Sequence, residues 1–444
     1  MNDNSSLPPK TPFINVQDSC LKHCQVLRSR RYVLHEKHIL KNTFRALAGR
    51  DFRYYFFGQV ISLIGTWVQQ VALSWIVYRI TGSAFMLGLI AFSGQIPMLI
   101  ATPLGGILAD RVSKRNILLW TQIVEMTVAS FLAVVAWQHS FNPWILIAAS
   151  VVLGLSGAIE MPSRQAFITE IIHDRGVLSN AIALNSLTFN AARLLGPAVA
   201  GFTLAVFNEP TCFAINAVSY IAAIYTLLTI HTGKPARTKT AGTLMEAIAY
   251  LRQFAPARWL IATVAVTSIC VSPFMTFMPV YAKDIFNGGP DLLGILMGAS
   301  GSGALAAALY LANMKSVAGI GSRIILACLV GGIVSAAFAY NTLLMLALPL
   351  LFLSGGTFIM IVTSCNILLQ SLVPEHLRGR VMALYIMSFI GMLPVGSIVY
   401  GSLAHLLGSV KPIFVIAGII SAGYGYILIK AMPDLRHLAY KLLA

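Results

Sequence analysis

Charged side chains inside apolar segments are the first residues of this 444-residue chain that could do chemistry. Glu125, Glu160 and Arg193 each lie in such a segment, where a charge costs about 2.5–3.5 kcal/mol and is expected to face a cavity or a partner. Asn185, Phe189 and Arg193 are four residues apart, so they share one face of a helix. Arg193 could bind an anionic substrate or pair with Glu125 or Glu160. Glu125 could carry a coupling proton or make a contact between helices, and the sequence leaves both questions open.

Polar residues form a stripe along one face of two other predicted helices, because they recur at spacings of three and four. Such a stripe is typical of the wall of a polar cavity, although each residue alone is more often a contact between helices. We assign the set to a predicted cavity for substrate. Its members are Gln59, Ser62, Thr66 and Gln69 in the first segment and Asn366 and Gln370 in the tenth.

Only long membrane-spanning helices would position these residues inside apolar segments. The chain is 57% hydrophobic and only 10% charged, whereas a soluble globular protein carries about 25% charged residues. Its mean hydropathy of +0.78 points the same way. Segments of about 20 apolar residues, the length that crosses a bilayer, recur twelve times along the sequence. We predict an all-α membrane protein with twelve transmembrane helices.

A single long internal loop divides the predicted helices into two groups of six. A shift of 200 residues places Gly196 on Gly396 and Gly201 on Gly401, so the two halves look related. Parallel repeats of this kind predict two pseudo-symmetric six-helix bundles. The predicted domains are a cytoplasmic extension with a short amphipathic helix (1–51), the N-terminal bundle (52–230), a cytoplasmic linker with a second amphipathic helix (231–256), the C-terminal bundle (257–431) and a cytoplasmic tail (432–444).

Basic residues orient the predicted helices in the membrane. The chain has 31 Lys and Arg against 15 Asp and Glu, a formal net charge of +16, and the predicted outer side keeps only Arg79, Lys283 and Lys411. Because an excess of Lys and Arg marks cytoplasmic loops, we expect a bacterial inner-membrane protein with both termini in the cytoplasm. Attraction to anionic lipid accounts for the positive charge, so nucleic acid is not among the predicted partners.

Several other function classes lack the residues that they require. The six cysteines are scattered, and four lie in apolar runs, which indicates buried thiols instead of a disulfide framework or a metal site. The sequence has no phosphate-binding loop, dinucleotide fingerprint or nucleophile elbow. We therefore expect no enzyme activity, no cofactor and no metal, and we expect an ion gradient to power any active transport.

The connection between the second and third segments carries the most specific motif. Gly106 is followed after three residues by Asp110 and Arg111, and a basic pair ends at Arg115. This pattern resembles the loop signature of the major facilitator superfamily, with Ser113 where the family has a second glycine. The resemblance implies a cytoplasmic gate in which the loop contacts the start of the eleventh helix. The gate residues are then Gly106, Asp110, Arg111, Arg115, Arg164, Gly379 and Arg380.

Further segments resemble one bacterial subgroup of that superfamily. Residues 162–201 and 377–385 are similar to those of enterobactin-type siderophore exporters and of relatives of macrolide efflux pumps. Gly196, Pro197 and Gly201 are similar to a helix-packing motif of antiporters, with alanine at two of its glycine positions. Small residues with a proline are also typical of a tightly packed helix that has no role in coupling.

The resemblance implies a transporter, and the polar residues inside the apolar segments fit that function. We predict a secondary active transporter that exports a small amphipathic molecule, a siderophore or a drug-like compound, by alternating access. Proton antiport is the predicted energy source, and the protein is expected to act as a monomer among membrane lipids. A lysophospholipid flippase and a solute importer of the same fold are the alternatives within transport. A non-transporting membrane sensor or scaffold is the alternative from a different class.

Overall fold

Long helices make up nearly all of the computed structural model, which describes residues 44–172, 174–230, 244–314 and 319–431, and no strand occurs in those ranges. A short helix, Leu244–Gln253, precedes the seventh long helix and is called the linker helix. The seventh helix is interrupted by a 3-10 turn at Ser272–Met275 and ends in a π-helical turn at Tyr281–Ile285. The long helices are α1 (Arg50–Thr81), α2 (Ala84–Arg111), α3 (Lys114–Trp137), α4 (Pro143–Ile171), α5 (Arg175–Phe207), α6 (Glu209–Thr229), α7 (Ala255–Ile285), α8 (Pro290–Ala312), α9 (Ile320–Ala339), α10 (Leu344–Leu372), α11 (Glu375–Leu407) and α12 (Lys411–Ala431).

Eleven helices in the described ranges are long and apolar enough to cross a membrane. The exception is α5, a helix of 33 residues in which two shorter apolar stretches are found, Gly176–Phe189 and Leu195–Phe207. The predicted class of helical membrane protein is therefore confirmed. The twelfth crossing, at α5, stays a prediction.

Short polar residues and glycines set the ends of several helices. Ser83 caps α2 by accepting a hydrogen bond from the backbone N–H of Met86, and Asn142 caps α4 by accepting one from Trp144. Gly82 and Gly408 end α1 and α11 with φ values of 59° and 64°. That left-handed conformation favours glycine, so these two residues allow the chain to turn sharply after each helix.

The beginning of the described chain differs from the predicted short amphipathic helix. Arg45–Ala48 form a single 3-10 turn, and α1 begins at Arg50. Gly49 separates the two with extended backbone at φ −69° and ψ 125°, a conformation that interrupts a helix. The second predicted amphipathic helix is present as the linker helix. Most of the predicted extension, residues 231–243 of the linker and the tail lie outside the described residues.

Helix packing repeats after every six helices. In the first half, α1 packs on α5 and α6, α3 packs on α4 and α6, and α2 packs on α4. The same contacts recur in the second half between α7 and both α11 and α12, between α9 and both α10 and α12, and between α8 and α10. The halves meet through α2 with α11 and through α5 with α8. In both contacts the second helix of one half packs on the fifth helix of the other half. The structure therefore contains the two predicted pseudo-symmetric bundles.

Glycines at the predicted 200-residue spacing make equivalent contacts in the two halves. A Cβ atom on Gly201 of α5 would stand 2.6 Å from the Cα atom of Gly294 on α8, and one on Gly401 of α11 would stand 3.3 Å from the Cα atom of Gly88 on α2. These distances are tighter than ordinary contacts, so the backbones of the two bundles touch where the helices cross. Small residues permit such close crossings.

Gly196 and Gly396 contact the first helix of their own halves in the same equivalent way. A Cβ on Gly196 would meet the Trp67 ring of α1 at 2.7 Å, and a Cβ on Gly396 would meet Pro273 of α7 at 2.7 Å. The repeat seen in the sequence therefore marks equivalent packing positions.

The two ends of the molecule differ in the contacts that the described residues make. We call the end with the α2–α3, α4–α5 and α10–α11 connections the basic side, and the other end the opposite side. On the opposite side, the Tyr78 hydroxyl of α1 donates a hydrogen bond to the Asp284 carboxylate of α7. On the basic side, a Cβ on Gly106 or on Gly379 would meet no atom within 4 Å in the described residues. The space directly beside each of these two glycines is thus free of described atoms.

Candidate functional site

Two carboxylates and a guanidinium form a buried cluster between α3 and α4. Glu125 lies in the middle of α3, and Glu160 and Arg164 lie one turn apart on α4. The Arg164 guanidinium forms an ion pair with Glu160. The two paired side chains are 13% and 9% exposed, and the whole of Glu125 is only 8% exposed. Gln122, one turn before Glu125, contacts Glu160, and Ser156, one turn before Glu160, contacts Glu125, so the three charges lie close together.

Neutral polar side chains hold the two carboxylates in place. The Gln122 amide nitrogen donates to Glu160 Oε1 at 2.8 Å, and its amide oxygen accepts from the Ser62 hydroxyl of α1 at 3.4 Å. The Ser156 hydroxyl of α4 donates to Glu125 Oε1 at 2.8 Å. Each carboxylate is therefore positioned by a neutral donor from the neighbouring helix as well as by charge.

The charges of this cluster do not balance. With both carboxylates ionised and Arg164 protonated, the group carries a net charge of −1 inside an apolar bundle, where an uncompensated charge is costly. One proton shared by the adjacent carboxyl groups makes the cluster neutral, as in other carboxylate pairs. The chemistry that this arrangement supports is therefore reversible binding of a proton or of another single positive charge.

Two buried donors at the cluster lack acceptors. Within the described residues, neither the Arg164 Nε–H nor the Tyr55 hydroxyl of α1 has a hydrogen-bond partner. Buried polar groups without partners are rare in proteins and each calls for an explanation. A site that changes its hydrogen bonds as it binds and releases a charge supplies one, because its donors need acceptors in only some states.

Arg164 also connects the cluster to α5. Its guanidinium carbon lies 5.4 Å from the centre of the Phe189 ring, a cation–π contact. Phe189 is 40% exposed, so the cluster reaches the surface at this ring. The sequence predicted Arg164 as a gate residue and Phe189 as a cavity residue, and the structure brings the two together. Asn185, one turn before Phe189, is half-buried.

The polar stripe of α1 lies within the N-terminal bundle. Ser62 contacts Gln122 of α3 as described, and the Thr66 hydroxyl is 3.4 Å from the Tyr220 hydroxyl of α6. Gln69 accepts a hydrogen bond of 2.8 Å from the Asn216 amide of α6. Gln59 is buried as well. These side chains join helices of one bundle, and their predicted contact with substrate stays a prediction.

The two predicted cavity residues of α10 contact each other. The Gln370 amide nitrogen donates to the Asn366 amide oxygen at 2.6 Å, and Gln370 is exposed. A part in substrate binding stays a prediction for this pair too.

The comparisons with known proteins agree with this architecture. The family of transmembrane secretion effectors, a branch of the major facilitator superfamily, matches residues 41–436. The chain belongs to this family. The predicted membership of the superfamily is thereby confirmed, and the relatives described next include a siderophore transporter and drug exporters.

Curated relatives match this family member over most of its length. It is 26% identical over 372 residues to the staphyloferrin A transporter of Staphylococcus aureus, covering 83% of this chain and 92% of the relative. It is 23% identical to the multidrug efflux pump Tap of Mycolicibacterium fortuitum, covering 78% and 87%. It is 24% identical to macrolide efflux protein A of Streptococcus pyogenes, covering 57% and 64%.

Solved structures of the superfamily show the same fold. The nucleoside transporter NupG matches with a TM-score of 0.69 at 14% identity, covering 86% of this chain and 99% of that one. A transporter of the POT family in complex with a thioalcohol-conjugated peptide matches with a TM-score of 0.70 at 10% identity, covering 87% and 96%. At these identities the likeness establishes the fold of this family member and nothing about its substrate.

The residues of the predicted gate that the structure describes make separate contacts on the basic side. Arg115 of α3 donates to the backbone carbonyls of Leu227 and Leu228 at 2.6 and 2.9 Å. Arg380 of α11 forms an ion pair with Glu246 of the linker helix. Arg111 is exposed at the end of α2.

The remaining predicted residues of this set are Asp110 and Gly379 of the gate and Arg193 of the cavity. The side chains of Asp110 and Arg193 lie outside the described part of the structure. Gly379 was expected near the start of α11, but α11 begins at Glu375 because the preceding Pro374 fixes an extended conformation there, with φ −54° and ψ 146°. The gate itself therefore stays a prediction.

Sequence reasoning missed Gln122, Ser156 and Tyr55 in the cluster, although a signal for two of them was present. Gln122 and Glu125 are three residues apart, and Ser156, Glu160 and Arg164 are four apart. Each set shares a helix face, and two polar faces on consecutive apolar helices favour mutual contact. No group of three or more His, Cys, Asp or Glu in the described residues could hold a metal ion.

Proposed function

We propose that this family member is a proton-driven antiporter of the bacterial inner membrane that exports a small amphipathic molecule. A siderophore or a drug-like compound is the proposed substrate class, in keeping with the names of the curated relatives. Both termini and the basic side are proposed to face the cytoplasm, because Lys and Arg are concentrated there. The proposed site for the coupling proton is the Glu125–Glu160–Arg164 cluster.

The observation that carries the proposal is that Glu125 and the Glu160–Arg164 ion pair are buried together between α3 and α4 and are linked through Gln122 and Ser156. A second carboxylate beside Glu160 is unnecessary for a structural ion pair, since Arg164 alone neutralises one charge. The second carboxylate supplies the negative charge that a proton then neutralises. Intramembrane carboxylates of this kind commonly form proton relays in transporters.

Proton binding would change the packing at the boundary between the bundles. A proton on Glu160 removes the charge that holds Arg164, and Arg164 also contacts Phe189 of α5. The same helix crosses α8 of the other bundle at Gly201. A change in the cluster can therefore shift α5 against α8, which is the kind of rocking that alternating access requires.

Competition completes the antiport. The cluster takes one positive charge, so a proton and a substrate with a cationic group, such as ethidium, exclude each other. Substrate binding from the cytoplasm would release the proton, and a proton from outside would release the substrate. Asp110, Arg111, Arg115, Gly379 and Arg380 stay the proposed gate, and Arg193 a proposed cavity residue.

Transport into everted membrane vesicles tests the proposal. With the cationic dye ethidium as the probe, we expect uptake that depends on an imposed proton gradient. Glu160→Gln and Glu125→Gln should each lower gradient-driven uptake by about tenfold or more, because losing about 1.4 kcal/mol of interaction already corresponds to that factor.

A matched control lies on the same helix as Glu160. Glu170 of α4 pairs with Lys114 at 2.6 Å, away from the cluster, and Glu170→Gln should keep the gradient dependence. Staphyloferrin A should be used as a second probe, since the substrate class is open between the two. The antiport proposal would be contradicted if the unmodified protein took up both probes at the same rate with and without the proton gradient.

A further inference from the structure

A groove of about 450 Å³ runs along the outer surface of the N-terminal bundle. One wall is the end of α2, at Leu108 and Val112, and the other is the first half of α3. The floor is α4, which packs so closely on α2 that a Cβ on Gly105 would lie 2.9 Å from the Cα atom of Ile159. The groove therefore lies between two consecutive helices and is closed from behind by α4.

The lining of the groove is apolar along its length and exposed to the surroundings. Leu108, Val112, Trp120, Val124 and Leu155 are all exposed large side chains, and Trp120 is 68% exposed. In a chain whose helices cross a membrane, such a surface faces lipid. The groove is therefore shaped to take an apolar chain from the bilayer.

The groove also has the length and position of one membrane leaflet. Along α3 it extends from Asn116 beside the basic side to Val124, which is about 12 Å at 1.5 Å per residue. Half of the hydrocarbon core is about 15 Å thick. Its inner end lies at Val152 and Ser156, close to the midpoint of α4. A chain lying in it would start at the membrane surface and stop near the bilayer centre.

The mouth of the groove is positively charged. The turn between α2 and α3 holds Arg111, Lys114 and Arg115, next to the lining residues Val112 and Asn116. Lys114 pairs with Glu170 at 2.6 Å, and Arg115 donates to backbone carbonyls. In the described part of the chain, Arg111 enters no ion pair, and its side chain is exposed. One cation is therefore available to a lipid headgroup.

We propose that this groove, lined by α2, α3 and α4, is a binding site for an anionic phospholipid. Its headgroup phosphate would pair with Arg111 and accept from the Asn116 amide, and one acyl chain would lie against Trp120 and Val124. The chain end would cover Ser156, whose hydroxyl holds Glu125. The site goes beyond the proposed transport cycle and does not depend on it, since lipid binding is measured without a substrate.

Tryptophan quenching by brominated lipids tests this proposal with the full chain reconstituted in vesicles. Vesicles contain brominated phosphatidylglycerol in one sample and brominated phosphatidylcholine in the other. We expect stronger quenching by the anionic lipid, with a preference of about fivefold for the site, since one arginine near the surface supplies about a 1 kcal/mol attraction. Trp120→Phe should remove the extra quenching.

Two matched variants separate the groove from the general lipid surface. Trp144 of α4 is 66% exposed and does not line the groove, so Trp144→Phe should keep the extra quenching. Val152→Phe, which fills the inner end of the groove, and Arg111→Gln, which removes the headgroup partner, should each reduce it. Trp120 stays in place in both variants, so fluorescence remains measurable.

Three results would overturn the proposal. Equal quenching by the two lipids in the unmodified protein, or extra quenching that survives Trp120→Phe, would mean that the groove has no preference for anionic lipid. Relief of Trp120 quenching by added ethidium, without any headgroup preference, would assign the groove to transported molecules instead.

Discussion

At the scale of single residues, the ion pair of Arg164 with Glu160 shows which contacts the sequence could predict and which it could not. The sequence left open whether Arg193 pairs with Glu125 or Glu160 or binds an anionic substrate. In the described structure, Glu160 pairs with Arg164, one turn away on the same helix. The free-energy cost of a charge in the membrane identifies which charged residues need partners. It does not identify which arginine is the partner, because that depends on which helix faces contact each other in the bundle.

The stripe of α1 was ambiguous for the same reason. Gln69 and Thr66 would look alike in sequence whether they faced a cavity or a neighbouring helix, since both surroundings accept polar groups. Their partners, Asn216 and Tyr220, lie about 150 residues further along the chain, and no local pattern connects them. The helix face could be predicted, whereas its direction in the bundle could not.

Gln122 provides a prediction at this scale. Gln122→Leu leaves the buried Ser62 hydroxyl without its acceptor and removes one of the two donors to Glu160, which keeps only Arg164. We expect a loss of about 1–3 kcal/mol in the free energy of unfolding, measured as a lower thermal midpoint of the purified protein. Gln370→Leu, at an exposed position on α10, should leave the midpoint nearly unchanged, and equal effects of the two substitutions would contradict this account.

At the scale of helices, the crossings of α5 with α8 and of α2 with α11 define how the bundles meet. The recurrence of Gly201 at Gly401 was visible in the sequence, and the structure gives it a physical meaning, because both glycines touch a helix of the other bundle. Their partners Gly88 and Gly294 were not predicted. Small residues are common throughout transmembrane helices, so only the contact itself distinguishes these two from other glycines.

The α5–α8 crossing supplies a second prediction. A Cβ on Gly201 would stand 2.6 Å from the Cα atom of Gly294, and the contact is mutual. Gly201→Ala should therefore force the helices apart and cost about 1–3 kcal/mol of stability, together with most of the transport activity. Gly298→Ala, one turn further along α8 where the Cβ position is open, is the matched control. It should keep the thermal midpoint of the unmodified protein, and a similar loss in both variants would argue against a special crossing.

At the scale of the whole molecule, the structure shows one arrangement of two bundles, joined on the opposite side by the Tyr78–Asp284 hydrogen bond and with free space beside Gly106 and Gly379. Alternating access requires a second arrangement in which the basic side closes. The Tyr78–Asp284 hydrogen bond between α1 and α7 would then break, because both bundles cannot stay close at both ends.

Cross-linking tests this second arrangement. The pair Gly106→Cys and Gly379→Cys should form no disulfide in the open arrangement and should form one when the basic side closes, since a disulfide needs Cα atoms within about 7 Å. The native cysteines of the described helices, Cys212, Cys270, Cys328 and Cys365, are buried and free. We expect cross-linking in vesicles with ethidium and a proton gradient and little without them. Equal cross-linking under both conditions would mean that these glycines do not report a gate.

The reciprocal crossings also bear on how such a chain can be divided and rebuilt. Each half contributes two helices to the interface between the bundles, α2 and α5 from the first half and α8 and α11 from the second. The residues that form this interface are therefore present in the two halves themselves, and none of them belongs to the connecting peptide. The linker helix belongs with the second half, since its Ala247 is buried and its Glu246 pairs with Arg380.

A gene divided between Ile230 and Leu244 and expressed as two polypeptides should therefore yield halves that associate in the membrane and co-purify. A side chain larger than glycine at position 201 should abolish that assembly far more readily than it unfolds the intact chain, where the covalent connection keeps the halves together.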